Sequence, residues 1–183
     1  MRRWAAWLLL LPLLLGGCGD RSLILNVDVL SFLGPSESSQ TYSVPGGMPS
    51  TTMDVASQSV NLLPGVQSVT EVASATLKIA ASFDNQTGAA SGTLLIYIAS
   101  ADSTDPFTTT PIASVPVTLT AGNVTNVSTE ISSTQLAEAL VQESARVGIR
   151  IDFDSTPTPP LQFVSGTETI TQLLATVVTK KSL

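Results

Sequence analysis

Residues able to do nucleophilic or metal chemistry are almost absent from this chain. Its 183 residues include one cysteine, Cys18, and no histidine. A serine or cysteine nucleophile is normally activated by a histidine, and zinc, copper and haem sites draw mainly on histidine and cysteine side chains. The composition therefore excludes Ser-His-Asp and Cys-His enzymes and metal sites built from histidine and cysteine.

Carboxylates are the remaining candidates. Three stretches have the oxygen-rich character that calcium prefers: the Asp84-Asn85 turn, the Asp102–Asp105 loop and the strand end Asp152–Asp154. Two carboxylate pairs have a spacing worth testing for glycoside hydrolysis: Asp152 with Asp154, and Glu138 with Glu143. No stretch matches the EF-hand loop, and solvated turn residues are the simpler interpretation of each group. We expect no cofactor, no bound metal and no enzymatic activity.

The N-terminal residues have the order of a secretory signal peptide. Arg2 and Arg3 precede a mostly apolar run, Trp4–Leu15, and two small residues follow it. A helix needs about 20 apolar residues to cross a bilayer core, so this run is too short to span it. Pro12 within the run further disfavours a continuous spanning helix.

A more specific motif follows the apolar run. Leu15-Gly16-Gly17-Cys18 resembles the lipobox of bacterial lipoproteins, in which an aliphatic residue and two small residues precede a cysteine. The resemblance, which is confined to the N-terminus, implies cleavage between Gly17 and Cys18 and transfer of a diacylglycerol to the Cys18 thiol. Two or more acyl chains anchor a protein stably. The alternative is an ordinary cleaved signal peptide followed by a chance cysteine.

The residue after Cys18 bears on the destination. In enterobacterial lipoproteins an aspartate at that position resembles an inner-membrane retention signal, whereas here Gly19 comes first and Asp20 second. The resemblance therefore favours the outer membrane, on its periplasmic face or at the surface. In a source with one membrane it favours the outer face of the plasma membrane.

Cleavage would leave an acidic chain of ordinary domain size. Removing 17 residues from 183 leaves 166, and losing Arg2 and Arg3 changes the formal charge from −6 to −8. An acidic chain with few Lys and Arg argues against binding nucleic acid. Both tryptophans lie in the signal, so carbohydrate platforms built on Trp are absent from the mature chain.

The tether between the lipid and the first strand is short. It consists of Gly19, Asp20, Arg21 and Ser22, which span at most about 14 Å when fully extended. We therefore expect the domain to lie close to the membrane. Three apolar residues near the anchor are candidates for lipid or partner contact, with a second-layer core contact as the alternative: Leu30, Phe32 and Leu33.

Most of the remaining sequence alternates apolar and polar residues with the period of a half-buried strand. Such stretches are 23–31, 41–44, 53–62, 75–83, 92–100, 112–119, 124–131, 146–153, 161–164 and 169–179. Leu94–Ile98 is nearly continuously apolar, which predicts a central strand or one whose outer side is covered. Pro116 indicates an edge strand. The period changes to that of a helix only over residues 133–143.

These elements predict an all-β fold, an antiparallel β-sandwich with one short connecting helix. The pattern resembles immunoglobulin and fibronectin type III domains, without their Cys–Trp–Cys core. We expect residues 1–17 to be the cleaved signal, 18–22 the lipidated cysteine and tether, and 23–183 a single sandwich domain. The strands flanking the Asp84–Gly92 loop are expected to pair with each other, and the overall strand order stays open.

Three functions are compatible with this chain. The first is a non-catalytic, lipid-anchored protein that serves as a structural or accessory subunit of a cell-envelope assembly, bound to the membrane through Cys18 and to an envelope protein. The second is a binding module for a small ligand, glycan or peptide, using the long loops Ala101–Pro111 and Asp154–Pro160 at one end of the sandwich. An enzyme is the least favoured, because no catalytic group of residues is evident.

Overall fold

The computed structural model describes residues 21–48, 50–61, 71–132, 134–141, 144–154 and 162–181. Over these residues the chain forms nine β-strands: β1 Arg21–Asp28, β2 Ser39–Pro45, β3 Thr51–Asn61, β4 Glu71–Thr87, β5 Ala90–Ser100, β6 Ala113–Leu119, β7 Asn123–Ser132, β8 Ser144–Asp154 and β9 Phe163–Lys181. Two α-helices connect them, α1 Pro35–Ser38 and α2 Thr134–Val141. Two short 3-10 helices are present as well, Val29–Phe32 and Pro106–Thr108.

The strands form two antiparallel sheets. The first sheet has the order β1-β9-β4-β7, and β2 also pairs with β9. The second sheet has the order β3-β8-β5-β6. The predicted antiparallel β-sandwich is confirmed. The short connecting helix predicted over residues 133–143 is α2, whereas α1 was not predicted.

The pairing of the strands is nested. β5 pairs with β6, β4 with β7, β3 with β8 and β2 with β9, so one long antiparallel hairpin is wrapped around the core. The eight nested strands contribute four to each sheet, which is the arrangement of a jelly roll, and β1 is a fifth strand of the first sheet. An immunoglobulin domain instead divides its strands into sheets of four and three. The likeness to immunoglobulin and fibronectin type III domains therefore extends to the sandwich but not to its strand order.

β9 is the longest strand and organises the first sheet. It is 19 residues long and pairs with β4 along most of its length. On its other edge, β2 pairs with the part that begins at Phe163 and β1 with the part that ends at Lys181. The first sheet therefore keeps one continuous central strand, while two consecutive short strands share its edge.

The expected pairing around the Asp84–Gly92 loop is wrong. β4 and β5 belong to different sheets, because the chain crosses between them at Gly88. Gly88 has a φ of +68°, and a Cβ there would approach the carbonyl oxygen of Phe163 to 2.9 Å. Adjacent strands with a short loop favour a hairpin, but here β4 is covered on both edges by β9 and β7, and no free edge remains for β5.

The core lies between the two sheets. The largest fully buried side chains come from both: Phe83, Phe153, Ile79, Leu94, Ile96, Leu119, Leu136, Ile149, Ile151 and Leu173. Leu136 of α2 is fully buried, so the helix closes one end of the core. Burial of this apolar area, at about 25 cal/mol per Å², is the main stabilising contribution in a chain without disulfides.

The edge prediction at Pro116 is confirmed. β6 forms an edge of the second sheet, with Pro116 exposed, while Val115 and Val117 on either side of it are buried. A proline cannot donate a backbone hydrogen bond, so it fits an edge strand without loss. The Thr125 hydroxyl donates to the carbonyl oxygen of Thr118 at 3.0 Å and links β7 of one sheet to β6 of the other.

Candidate functional site

The predicted lipidation site lies outside the described residues. Gly17 and Cys18 are among residues 1–20, and the described structure begins at Arg21, the first residue of β1. β1 pairs with β9 through all eight of its residues, from Arg21 opposite Lys181 to Asp28 opposite Leu174. Any lipid on Cys18 would therefore be attached three residues before a strand that is held firmly in the first sheet.

The three apolar residues expected to contact lipid or a partner have different surroundings. Leu33 is 8% exposed and belongs to the core cluster, and Leu30 is partly buried against that cluster. Phe32 is 42% exposed. The 3-10 helix Val29–Phe32 ends the strand earlier than expected, and it is Val29 and Leu33 at its two ends that are buried. Phe32 is thus the member of the three that offers substantial surface.

A more exposed apolar pair lies closer to the anchor. Leu23 and Ile24 of β1 are 52% and 63% exposed, although neighbouring residues of a strand point to opposite faces. They lie opposite Thr179 and Val178 of β9. We call the end of the first sheet formed by residues 21–24, 71–74 and 178–181 the tip.

Two of the carboxylates considered for calcium or catalysis accept hydrogen bonds from nearby groups. Asp152 accepts a hydrogen bond from the Thr52 hydroxyl at 2.9 Å, and Asp105 accepts one from the backbone N–H of Phe107 at 2.9 Å. Asp84, Asp102 and Asp154 are exposed. Within the described ranges, no three His, Cys, Asp or Glu residues are placed to hold a metal ion together.

Only one member of the second candidate acid pair lies within the described residues. Glu138 is exposed on α2, and Glu143 lies outside the described residues. Glu138 does line an open groove of about 460 Å³ between α2 and the ends of β4 and β7. The other lining residues are small: Val72, Ala73, Ser74, Ala75, Ser132, Thr134 and Ala137. The groove therefore offers one carboxylate and little else for chemistry.

The loop at residues 101–111 folds back over the outer face of the second sheet. Its Phe107 meets Tyr97 of β5 edge-on, with ring centroids 5.3 Å apart. The Arg150 guanidinium lies 4.1 Å from the Phe107 centroid, and its Nε donates to Asp54 at 2.7 Å. The hydrogen bond to Asp54 is the largest of the contributions that raise the pKa of Arg150. The apolar character of Leu94–Ile98 is thus accounted for by cover from the chain itself.

The residues that precede the two long loops, Ser100 and Asp154, lie at opposite ends of the paired strands β5 and β8. Ser100, which precedes the first loop, pairs with Ala145 at the start of β8, whereas Asp154, which precedes the second, pairs with Ser91 at the start of β5. The loops therefore leave the second sheet at opposite ends. Residues 155–161 of the second loop lie outside the described residues, so the loop-binding alternative stays a prediction.

A second arginine of β8 faces the same outer surface as Arg150. The Arg146 guanidinium approaches the hydroxyls of Ser57 and Ser59 of β3 at 3.4 and 3.5 Å. Its Nε is buried and has no hydrogen-bond partner among the described residues. No carboxylate of the described chain pairs with it, in contrast to Arg150.

The interior contains a polar cluster that the sequence reasoning missed. The Tyr42 hydroxyl donates to Oδ1 of Asn85 at 3.0 Å, and Nδ2 of Asn85 donates to the carbonyl oxygen of Gly88 at 2.8 Å. Tyr42 is 2% exposed and Asn85 is fully buried. Burial, followed by the nearby charges of Asp84 and Glu168, raises the pKa of Tyr42 to about 12.

Glu168 is the most unusual member of this region. It is fully buried, and neither carboxylate oxygen has a hydrogen-bond partner among the described residues. Burial raises the pKa of Glu168 to about 8, so the side chain is mostly protonated at neutral pH. The sequence does contain a sign that Glu168 is buried. Val164, Glu168 and Ile170 are separated by even numbers of residues, so in a strand they point to the same face, and Glu168 is the charged residue on that apolar face.

None of the described helices is both long and apolar enough to cross a membrane. No protein-family model matches the chain, and no curated protein does either.

Similar solved structures come from infectious bursal disease virus. The Gt strain structure has a TM-score of 0.47 at 11% identity, covering 90% of this chain and 38% of that one. The Gx strain structure has a TM-score of 0.46 at 13% identity, covering 89% and 37%. The VP2 subviral particle has a TM-score of 0.42 at 13% identity, covering 90% and 38%. The chain spans less than two fifths of these proteins' length, and the likeness concerns the sandwich alone.

Proposed function

We propose that this protein is a non-catalytic, lipid-anchored component of the cell envelope and serves as a structural or accessory subunit of an envelope assembly. The observation that carries the proposal is the position of Cys18 three residues before β1, a strand paired along its whole length with β9. Three residues span at most about 11 Å. A lipid on Cys18 would hold the rigid first sheet, and not a long flexible linker, against the membrane.

The shape of the first sheet suggests where a partner would bind. β9 has 19 residues, so at about 3.3 Å per residue it reaches about 60 Å from the tip to Phe163. At that far end Phe163 and Met48 are 54% and 53% exposed, and Gly46 donates a hydrogen bond to the carbonyl of Gln162 beside them. Exposed apolar residues clustered in this way are typical of protein contacts.

The proposed location follows the residues after the cysteine. Gly19, and not an aspartate, would be the second residue of the mature protein, which favours the outer membrane in a source with two membranes. The proposed chemistry of the domain is binding alone, since the carboxylates at positions 105 and 152 already hold loop and strand partners.

The first experiment is a mass measurement combined with a pull-down. The native protein is extracted with mild detergent, its N-terminal peptide is weighed, and co-purifying proteins are quantified. A diacyl or triacyl mass on Cys18 with a stoichiometric envelope protein supports the proposal. An unmodified Cys18, or a lipidated protein that purifies alone, contradicts the corresponding half.

Substitutions at the far end test the partner surface itself. Phe163→Ser and Met48→Ser together should lower partner recovery at least tenfold, while Val124→Ser should not. Val124 is a fair control because it is 59% exposed on β7, a strand at the opposite edge of the first sheet. Equal losses from both changes would place the partner elsewhere.

A second candidate function is the binding of an anionic glycan or peptide on the outer face of the second sheet. Arg146 favours it, because the described residues supply two serine hydroxyls to this guanidinium but no carboxylate. Titration with a glutamate-rich peptide, followed by NMR, should shift signals around Arg146. The same titration of Arg146→Gln is the control, and unchanged binding by that variant excludes this face.

A further inference from the structure

The antiparallel pairing of β1 with β9 brings basic residues to the anchor from the far end of the sequence. Arg21 lies opposite Lys181, and Ser22 lies opposite Lys180. The chain after residue 17 contains six basic residues, the eight of the full sequence less Arg2 and Arg3. Three of these six, Arg21, Lys180 and Lys181, thus lie within two adjacent residue pairs, at the end of β1 that follows Cys18 in the sequence.

The tip extends beyond the strands of the second sheet. Ala175 of β9 and Leu77 of β4 line the same small apolar cavity as Ile98 and Val147, which sets these residues at one level. Toward the tip, β5 extends two residues beyond Ile98, to Ser100, and β8 extends three residues beyond Val147, to Ser144. In the same direction β9 extends six residues beyond Ala175, to Lys181. Three further residues correspond to about 10 Å.

The apolar surface of the tip fits the same geometry. Leu23 and Ile24 point to opposite faces of β1 and are 52% and 63% exposed, so apolar surface is present on both faces of the sheet at this end. Lys180, one residue beyond Val178 and Thr179 in β9, is exposed as well. An apolar pair next to cationic side chains is the composition of segments that rest at the headgroup boundary of a bilayer.

The sign of the charge distinguishes this end from the rest of the molecule. The tip has three basic residues against one acidic residue, Glu71, a formal charge of +3 − 1 = +2. The mature chain carries −8 in total, so the remainder carries −10. An anionic membrane surface attracts the first and repels the second.

We propose that the tip docks end-on onto anionic phospholipid headgroups, with Arg21, Lys180 and Lys181 at the phosphates and Leu23 and Ile24 at the acyl boundary. This inference rests on the proposed lipid anchor. The tether makes docking an intramolecular event, so a patch of three charges is sufficient where it would be too weak for a free protein. End-on docking directs Phe163 away from the membrane and fixes the orientation of the subunit.

Depth measurements on the lipidated full-length protein test the proposal. Cys18 is the only cysteine and would be blocked by its lipid, so an introduced cysteine can be labelled uniquely. Ile24→Cys and, as the far-end control, Phe163→Cys carry an environment-sensitive fluorophore. Each is reconstituted into vesicles of pure phosphatidylcholine or of phosphatidylcholine with about 30% phosphatidylglycerol, with spin-labelled lipids as quenchers. The anionic lipid gives the second kind of vesicle a negative surface potential.

The expected result is quenching and a blue shift at position 24 in anionic vesicles, with neither at position 163. Replacing Arg21, Lys180 and Lys181 by Gln should lower the ratio of docked to undocked protein by about fivefold for each charge, and high salt should act in the same direction. Circular dichroism establishes that each variant is folded, and Lys78→Gln, on β4 but outside the tip, is the control for the loss of a single positive charge.

The outcomes separate docking from anchoring. A lipidated protein whose label at position 24 stays in water in both vesicles overturns the docking proposal and leaves the anchor intact. Equal quenching at positions 24 and 163 overturns the end-on orientation. A peptide mass that shows Cys18 without lipid overturns the proposed function, and the unlipidated protein in the same vesicles then reports whether the tip binds anionic lipid unaided.

Discussion

The hydroxyl of Tyr42 donates a hydrogen bond to Oδ1 of Asn85, 3.0 Å away, inside the sandwich. Tyr42 belongs to β2 and Asn85 to β4, two strands of the first sheet that do not pair with each other because β9 lies between them. Asn85 passes the connection on to Gly88, where the chain crosses to the second sheet. The bond therefore links the edge of the first sheet to the crossing point between sheets.

Removing this hydroxyl should destabilise the protein without changing its fold. In Tyr42→Phe, the buried Oδ1 of Asn85 loses its donor, and leaving a buried acceptor unpaired costs about 1–2 kcal/mol of unfolding free energy. Urea denaturation measures the change. Tyr97→Phe is the control, since the buried Tyr97 contributes an aromatic contact with Phe107 that the substitution preserves. Equal losses of unfolding free energy in the two variants would show that the hydrogen bond to Asn85 does not account for the effect of Tyr42→Phe.

Glu168 should make the stability fall as the pH rises. The native carboxyl keeps its proton up to about pH 8, whereas the unfolded carboxyl loses it near its ordinary pKa of 4.5. Between these values the unfolded state binds fewer protons than the native state, so the unfolding free energy decreases with pH across this window, in total by on the order of a few kcal/mol. Below pH 4.5 the contribution of the neutral carboxyl is fully retained.

Glu168→Gln is the matched variant for this prediction, because it keeps the shape and removes the charge. Urea denaturation at pH 5, 7 and 8.5 should show a decline for the natural protein and a flatter profile for the variant, with the variant the more stable at pH 8.5. The charges of Asp84 and Glu168 both act on Tyr42 and contribute, after burial, to its raised pKa. Parallel profiles for the two proteins would contradict the prediction.

Gly166 should not tolerate a side chain. A Cβ at this position would lie 2.5 Å from the Tyr42 hydroxyl oxygen and closer still to the carbonyl oxygen of Asp84, which is backbone and cannot move aside. Gly166→Ala is expected to cost about 2–3 kcal/mol by overpacking. Gly34→Ala is the control, because a Cβ there would meet its nearest atom, of Glu37, at an ordinary 3.5 Å. Thermal unfolding of both variants measures the difference.

Phe107 should hold the 101–111 loop on the second sheet. Phe107→Ala removes the edge-on contact with Tyr97 and the ring beneath Arg150, and a cation–π contact of this kind contributes about 0.5–1 kcal/mol. Hydrogen exchange is the sharper measurement, since the Ile112 amide donates to Ile96 at 2.8 Å where the loop returns to the sheet. Its protection should fall severalfold.

The control for the loop is a change at the other partner of Arg150. Asp54→Asn weakens the ion pair with Arg150 but leaves the ring contact in place, so protection at Ile112 should change little. If the two variants lower the protection equally, the ion pair and not the aromatic ring secures the loop.

Sequence periodicity predicted the positions of most strands and of the helix, because an alternation of apolar and polar residues reports which face is buried. The inward set Val147, Ile149, Ile151 and Phe153 of β8 is at most 2% exposed, as expected. Local reasoning failed where pairing is not local. It joined β4 to β5 because they are neighbours in sequence, and it read strand 23–31 through to the end, whereas the chain turns into a 3-10 helix after Asp28.

For the candidate functional surfaces, too, some features could be read from the sequence and others required the tertiary structure. Cys18 and the charge of the chain are properties of composition and motif, and the sequence alone determined the absence of histidine chemistry, the acidic balance and the alternation that forms a sandwich. Only the tertiary structure decided that Lys180 and Lys181 lie beside Arg21, that the two long loops leave the second sheet at opposite ends, and that Glu168 is buried beside Tyr42. Composition and periodicity can be read directly from the order of the residues, whereas strand order depends on which strand edges, distant in sequence, are free to form backbone hydrogen bonds with each other.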